Sequence, residues 1–333
     1  MKTPTDFTKL MTNYLSSYLP LQRNVSSNTI SSYCDTFRLL LTFLRDKKSK
    51  NIDRLKVRDF SPELIRDFLL WLEQERACSI STKNQRLAAL RSFFKYVEVE
   101  CPEHMLLCQQ IVNVPYAKKE QAAVNYLTVK EMTNILNQPN QATAAGRRDL
   151  CFLSLLYDTG ARVSEILNLK ARNVRLDDPA KVILYGKGRK LREVPLLPNT
   201  ALHLERYMQE QRLTAPENLN RVLFVNRQGN PLTRAGATYI LQKYVQMADV
   251  SGHISPHVFR HTKAMHMLES GINIFYIKDF LGHEDISTTE VYAKASIETQ
   301  RRALEKHSLV MPPVTPSWVT NTDTLEWLKS LGK

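Results

Sequence analysis

Apolar positions recur at helical spacing through most of the first hundred residues. Phe7 to Tyr18 reads as one amphipathic helix. Asn28 to Leu44 reads as a second, with Ile30, Tyr33, Phe37, Leu40 and Leu41 on one stripe. Ser61-Pro62-Glu63 is a helix start, combining a capping hydroxyl, proline at the first helical position and an acid in the first turn. Leu64, Phe68, Leu69 and Leu72 continue that third helix. A fourth, from about Ser81 to Val97, turns Leu87, Leu90, Phe94 and Val97 inward and Lys83, Arg86, Arg91 and Lys95 outward. From Glu98 to Asn125 the periodicity lapses, and Pro102, Pro115 and Lys118-Lys119-Glu120 predict a linker.

The pattern resumes at Tyr126. Thr128-Val129-Lys130-Glu131 predicts a capping box, hydroxyl and carboxylate each satisfying a free amide of the first turn. Asp149 to Tyr157 reads as a buried helix that ends at Gly160, and Val163, Ile166, Leu167 and Leu169 anchor the next one. Arg162 therefore sits at a helix start close to core, where a cation needs an acceptor; Glu165 is one candidate. Lys181–Tyr185 and Leu191–Leu196 predict two strands flanking the turn Gly186-Lys187-Gly188-Arg189-Lys190. A turn this cationic repels itself unless an anion sits nearby. Two more helices fall between Asn199 and Asp249, separated by the strand-like Val222-Leu223-Phe224-Val225. The fold class expected is mainly α with a small β-sheet.

The stretch from His257 to Tyr292 carries the chemistry. Val258, Met265 and Leu268 form a helical stripe that Gly271 closes, and Ile274, Ile277, Phe280 and Leu281 form another that Gly282 closes. His257 and Arg260, three apart, share a helix face. His283 follows the second glycine, and Tyr292 comes shortly after Ser287-Thr288-Thr289. A cation, two imidazoles and a phenol within 36 residues make a phosphate-handling set with a nucleophile. His257 and His261 have the spacing of a zinc pair, but the glutamate of H-E-x-x-H is absent, so no metal site is expected. His261 and His266 read as polar residues of the helix.

Charge narrows the partner. The 333 residues hold 46 Lys and Arg against 33 Asp and Glu, a net charge of +13. The excess is shared by both halves, which suits two lobes gripping one polyanion. No apolar run reaches about 18 residues. The opening MKTPTDFTKL lacks a signal peptide's apolar core, so neither membrane insertion nor secretion is expected. Cys34, Cys78, Cys101, Cys108 and Cys151 are scattered without CxxC spacing and read as reduced cytosolic thiols.

ARVSEILNL at 161–169, GKGRKLREVPL at 186–196, HVFRH at 257–261, LGH at 281–283 and Tyr292 together resemble the tyrosine recombinase (phage integrase) family, nearest its Xer-type and integrase branches. Each motif is weak alone, whereas five in family order are specific. The resemblance implies a helical core-binding domain over 1–100, a linker over 101–125, a mixed α/β catalytic domain over 126–310 and a tail over 311–333. It also implies a site-specific DNA recombinase that cleaves and rejoins strands through a 3′-phosphotyrosine. Tyr292 would attack the phosphodiester, while Arg162 and Arg260 fork onto its non-bridging oxygens. His257 would relay the tyrosine's proton, Lys187 would protonate the departing 5′ oxygen, and His283 would orient the phosphate. Glu165 would buttress Arg162. Lys83, Arg86, Arg91, Lys95, Arg189 and Lys190 would meet DNA. No cofactor is implied, because the phosphotyrosine retains the bond energy.

The partners implied are double-stranded DNA at specific recombination sites, three further copies of the chain in a synaptic tetramer, and accessory DNA-bending or directionality proteins in a cytoplasmic, nucleoid-associated setting. Integration, transposition and resolution of chromosome dimers all fall within the resemblance. In the tail, Pro312, Pro313 and Pro316 favour an extended crossing, after which Leu325, Trp327, Leu328 and Leu331 predict a helix too short to stand alone. Its apolar face is expected to dock either on its own domain or, as the resemblance implies, on a neighbouring protomer. Two rivals stand beside this reading. A type IB topoisomerase uses similar chemistry without integrase-like motifs, and a non-catalytic DNA-binding regulator would have no use for a complete acid–base set.

Overall fold

The computed structural model describes residues 4–118, 124–186, 190–282, 289 and 292. Lys187, Arg189, His283 and the tail over 311–333 lie outside the described residues. The chain divides into two compact units, Met1–Ala122 and Ala123–Lys333.

The first unit is helical. Helix α1 (Asp6–Asn13) runs directly into a wider π-type helix, Tyr14–Gln22, so the segment read as one amphipathic helix changes its winding midway. Helices α2 (Ser27–Lys48), α3 (Pro62–Gln74) and α4 (Ile80–Glu100) follow. Ser61 caps α3 as its sequence predicts, its hydroxyl accepting the Leu64 amide at 3.2 Å. The core closes around Phe93, whose ring lies 5.1 Å from Phe37, 5.3 Å from Tyr14 and 5.8 Å from Phe7, edge-on to all three. The expected linker is structured where the apolar pattern is too short to announce itself. Helix α5 (Met105–Val112) buries Cys108, Ile111 and Val112 against α4, and the described residues 114–118 that follow it belong to no helix or strand.

The second unit wraps helices around a small sheet. Helix α6 (Val129–Leu136) starts with the expected capping box: Thr128 N–H donates to Glu131 at 2.7 Å, and the Glu131 amide donates back to the Thr128 hydroxyl at 3.2 Å. Helix α7 (Ala144–Asp158) is buried along most of its length and leads to the short α8 (Val163–Leu167). Strands β1 (Val174–Arg175), β2 (Lys181–Tyr185) and β3 (Leu191–Pro195) form an antiparallel sheet in sequence order, with Val182 opposite Val194 and Leu184 opposite Arg192.

Helices α9 (Pro198–Glu210), α10 (Arg234–Met247), α11 (Pro256–Glu269) and α12 (Ile274–Leu281) complete the described part. The strand-like 222–225 makes only isolated bridges, Lys170 with Val222 and Val225 with Pro231. Its apolar composition serves burial instead, since Leu223 and Phe224 are fully covered in the core with Phe152, Tyr207 and Phe259.

Helix α11 is fixed by side chains on its flank. The Leu127 amide donates to the Thr262 hydroxyl at 3.0 Å, and the two ring nitrogens of His266 reach the Leu127 carbonyl at 2.9 Å and the Tyr157 hydroxyl at 2.8 Å. The Tyr126 hydroxyl donates to Glu269 at 2.9 Å. These bonds set the rotation of α11 about its axis, and with it the direction in which residues 257–261 face. Among the described residues no helix is long and apolar enough to cross a membrane.

Candidate active site

Arg260 lies in the first turns of α11 and is 3% exposed. Its guanidinium donates to two backbone carbonyls, Gly160 at 2.8 Å and Leu281 at 2.8 Å. Both acceptors belong to tight turns: Gly160 has φ +54°, and Leu281 precedes Gly282 at φ +67°. Neutral carbonyls orient the cation without cancelling its charge. Burial, then the charges of Arg162 and Arg192, bring its pKa down to about 10, so it stays protonated at neutral pH.

Arg162 occupies the N-cap of α8. Its backbone amide and Nη1 donate to Glu165 at 2.9 Å and 3.0 Å. A second guanidinium shares that carboxylate, since Arg192 reaches it at 3.1 Å and 2.6 Å. Burial pushes the Glu165 carboxyl up, but the hydrogen bonds and charge of Arg192, then Arg162, outweigh it and hold the group below the ordinary carboxylate range. One acid between two arginines leaves a cationic surplus. Sequence reasoning passed over Arg192, although a signal was present. On β3 it shares a face with buried Val194 two residues on, so it takes a core-facing position where a cation demands an acid. Its side chain also covers Gly282, where an added Cβ would sit 3.3 Å from Arg192 Cδ.

His257 heads α11 and is exposed at the surface. Protein packed around its ring, then the charges of Arg260, Arg162 and Arg234, hold its pKa below the usual imidazole value. Tyr292 is 2% exposed and packs with Ala264, Met265, Leu268, Ile277 and Leu281. Its hydroxyl lies 2.7 Å from Nδ1 of His261, a residue the sequence reading left aside as a polar helix position. Burial raises the phenol's pKa, while Arg260 and Arg162 pull it back. The structure thus brings together Arg162, Glu165, Arg260 and Tyr292, adds Arg192 and His261, and keeps His257 beside them. Among the described residues no group of three His, Cys, Asp or Glu side chains could hold a metal ion.

The basic face of α4 is largely occupied within its own unit. Lys83 is buried and ion-paired with Glu73. Arg86 donates to the Ser32 carbonyl at 2.8 Å and the Thr36 hydroxyl at 3.1 Å, and Arg91 lies 4.6 Å over the ring of Tyr116. Lys95 is exposed, as is Lys190 next to β3.

The profile of the Phage integrase family matches residues 125–298, and that of the phage integrase N-terminal SAM-like domain matches residues 13–100. A putative integrase/recombinase, y4rC, of Sinorhizobium fredii is 35% identical over 90% of this chain and 91% of its own. Tyrosine recombinase XerC of Bacillus subtilis is 32% identical over 92% of this chain and 97% of its own. Among solved structures, the XerH site-specific recombinase bound to palindromic difH substrate in a post-cleavage complex aligns with TM-score 0.66 over 86% of this chain and 81% of that one, at 20% identity. With a catalytic-domain match covering more than half its length and two relatives above 30% identity along nearly all of it, the chain belongs to the phage integrase family and is a tyrosine recombinase.

Proposed function

We propose that this enzyme is a site-specific recombinase in which Tyr292 attacks a DNA phosphodiester, forming a 3′-phosphotyrosine and freeing a 5′-hydroxyl. A second strand's 5′-hydroxyl then reverses the step. The observation that carries this reading is the placement of the Tyr292 phenol within the electrostatic reach of Arg260 and Arg162. A phenol of ordinary pKa about 10 is a weak nucleophile, and a phosphodiester repels anions, so cations there serve both partners. Arg162 and Arg260 hold the non-bridging oxygens, with Glu165 keeping Arg162 extended. His257 and His283 complete the phosphate contacts, and Lys187 delivers the proton to the leaving 5′ oxygen. Lys95, Arg189 and Lys190 meet backbone phosphates beside the cleaved one. No metal or organic cofactor takes part.

The partner is double-stranded DNA carrying a specific site, and the working assembly is a tetramer on two synapsed sites, in the nucleoid, with DNA-bending or directionality proteins assisting. The residues beyond 310 link protomers. Trapping on a nicked suicide substrate tests the chemistry. Tyr292→Phe binds its site and forms no adduct, and an adduct in that variant would assign the attack to another side chain. Deleting residues 317–333 tests the assembly, since single-site binding survives while pairing of two sites and recombination fall.

A further inference from the structure

We propose that His261 is a catalytic residue that takes the proton of Tyr292 as the phenol oxygen attacks phosphorus, and returns it on religation. This rests on the reading of Tyr292 as nucleophile. The geometry supplies the contact, with Nδ1 of His261 2.7 Å from the hydroxyl and the two rings 5.5 Å apart and tilted. A general base acts across a distance of this kind. His257, to which the family resemblance gives the relay, stands one turn earlier on α11 and is exposed at the surface.

The surroundings fit the same assignment. Burial, then His257 and Arg260, hold His261 below the ordinary imidazole value, so it is neutral and able to accept at neutral pH. Among the described residues, the charged groups around the pair include Arg260 and His257 on α11 and Arg162 at the head of α8. They disfavour an imidazolium in the resting state. A phosphate at the arginines reverses that balance, because its negative charge stabilises the protonated ring. In the step, the Tyr292 oxygen–phosphorus bond forms and the bond from phosphorus to the 5′ oxygen breaks. The phenol proton passes to Nδ1, and the 5′ oxygen leaves with a proton from the general acid assigned above to Lys187. Charge and atoms balance without oxidant or metal.

A substrate with a bridging 5′ sulfur isolates this transfer, because a thiolate departs without protonation. With the wild-type protein, covalent complex formation on that substrate should rise with pH through a single ionisation and then level off. His261→Asn keeps a hydrogen-bonding side chain that cannot accept a proton. It should bind the site normally, lose about 100-fold or more in cleavage rate at pH 7 and lose the low-pH limb, with the rate recovering as the pH approaches tyrosine ionisation. His257→Asn should be slower and keep the limb.

Wild-type rate in His261→Asn, or a slower rate with the limb intact, overturns the proposal. An adduct in Tyr292→Phe overturns the underlying reading instead. Should His261→Asn bind or melt abnormally, nitrogen NMR of wild-type His261 decides. Tyr292→Phe should shift the Nδ1 resonance and the ring's titration, and an unchanged resonance rejects the contact.

Discussion

Glu165 is held more closely by Arg192 than by Arg162, at 2.6 Å against 3.0 Å. The acid next to the site's first arginine is thus also an anchor for strand β3, on which Arg192 lies. Glu165→Gln leaves two guanidiniums opposed in a nearly buried place. It should cost about 3–5 kcal/mol in chemical denaturation and depress cleavage, with Arg192→Met restoring part of the stability.

Acid should weaken the fold in two stages. His257, His261 and His266 have folded pKa values below the ordinary 6.5, so the unfolded chain binds more protons and stability falls as pH drops through that value. Glu165 is depressed below its ordinary 4.5, so its contribution is complete above that pH and is lost below it. Urea midpoints at pH 8, 6 and 4.5 and below resolve the two. His261→Asn should shrink the first loss and leave the second.

Gly160→Ala meets both strain and a collision, because φ is +54° and the new Cβ would lie 2.7 Å from Leu281 Cδ2. The strain alone costs about 1–2 kcal/mol. Cleavage should fall as well, since the Gly160 carbonyl holds Arg260. Gly271→Ala is the control. It carries similar strain at φ +83° with open space around it, so it should lose stability and keep cleavage.

Lys83 and Lys95 should separate in a salt titration. Lys95→Ala should flatten the dependence of log K on log salt by about 0.9, the mark of one lost phosphate contact. Lys83 is buried against Glu73, so Lys83→Ala should lower the melting temperature and leave the slope alone. A changed slope for Lys83 and an unchanged one for Lys95 would reverse the assignment.

What could be read along the chain was local. The Ser61 and Thr128 caps, the strands about the Lys187 turn and the glycine stops at 271 and 282 follow from spacing and residue type. Helix α5 was missed because eight residues show barely two turns of periodicity. His261 was missed for a different reason. Its partner is 31 residues away, and nothing in an adjacent histidine tells whether it faces solvent or a phenol. The outward face drawn for α4 failed at Lys83, Arg86 and Arg91, whose acceptors and ring come from other segments.

The two carbonyls that hold Arg260 also bear on how this activity could be transplanted. The direction of that guanidinium is encoded in peptide groups, one at a left-handed glycine and the other just before one, and among the described residues no side chain accepts a hydrogen bond from it. Copying the reactive residues onto another scaffold would therefore reproduce the chemistry on paper and leave the arginine without an aim. A scaffold able to receive them must first supply two main-chain bends whose oxygens converge on one point.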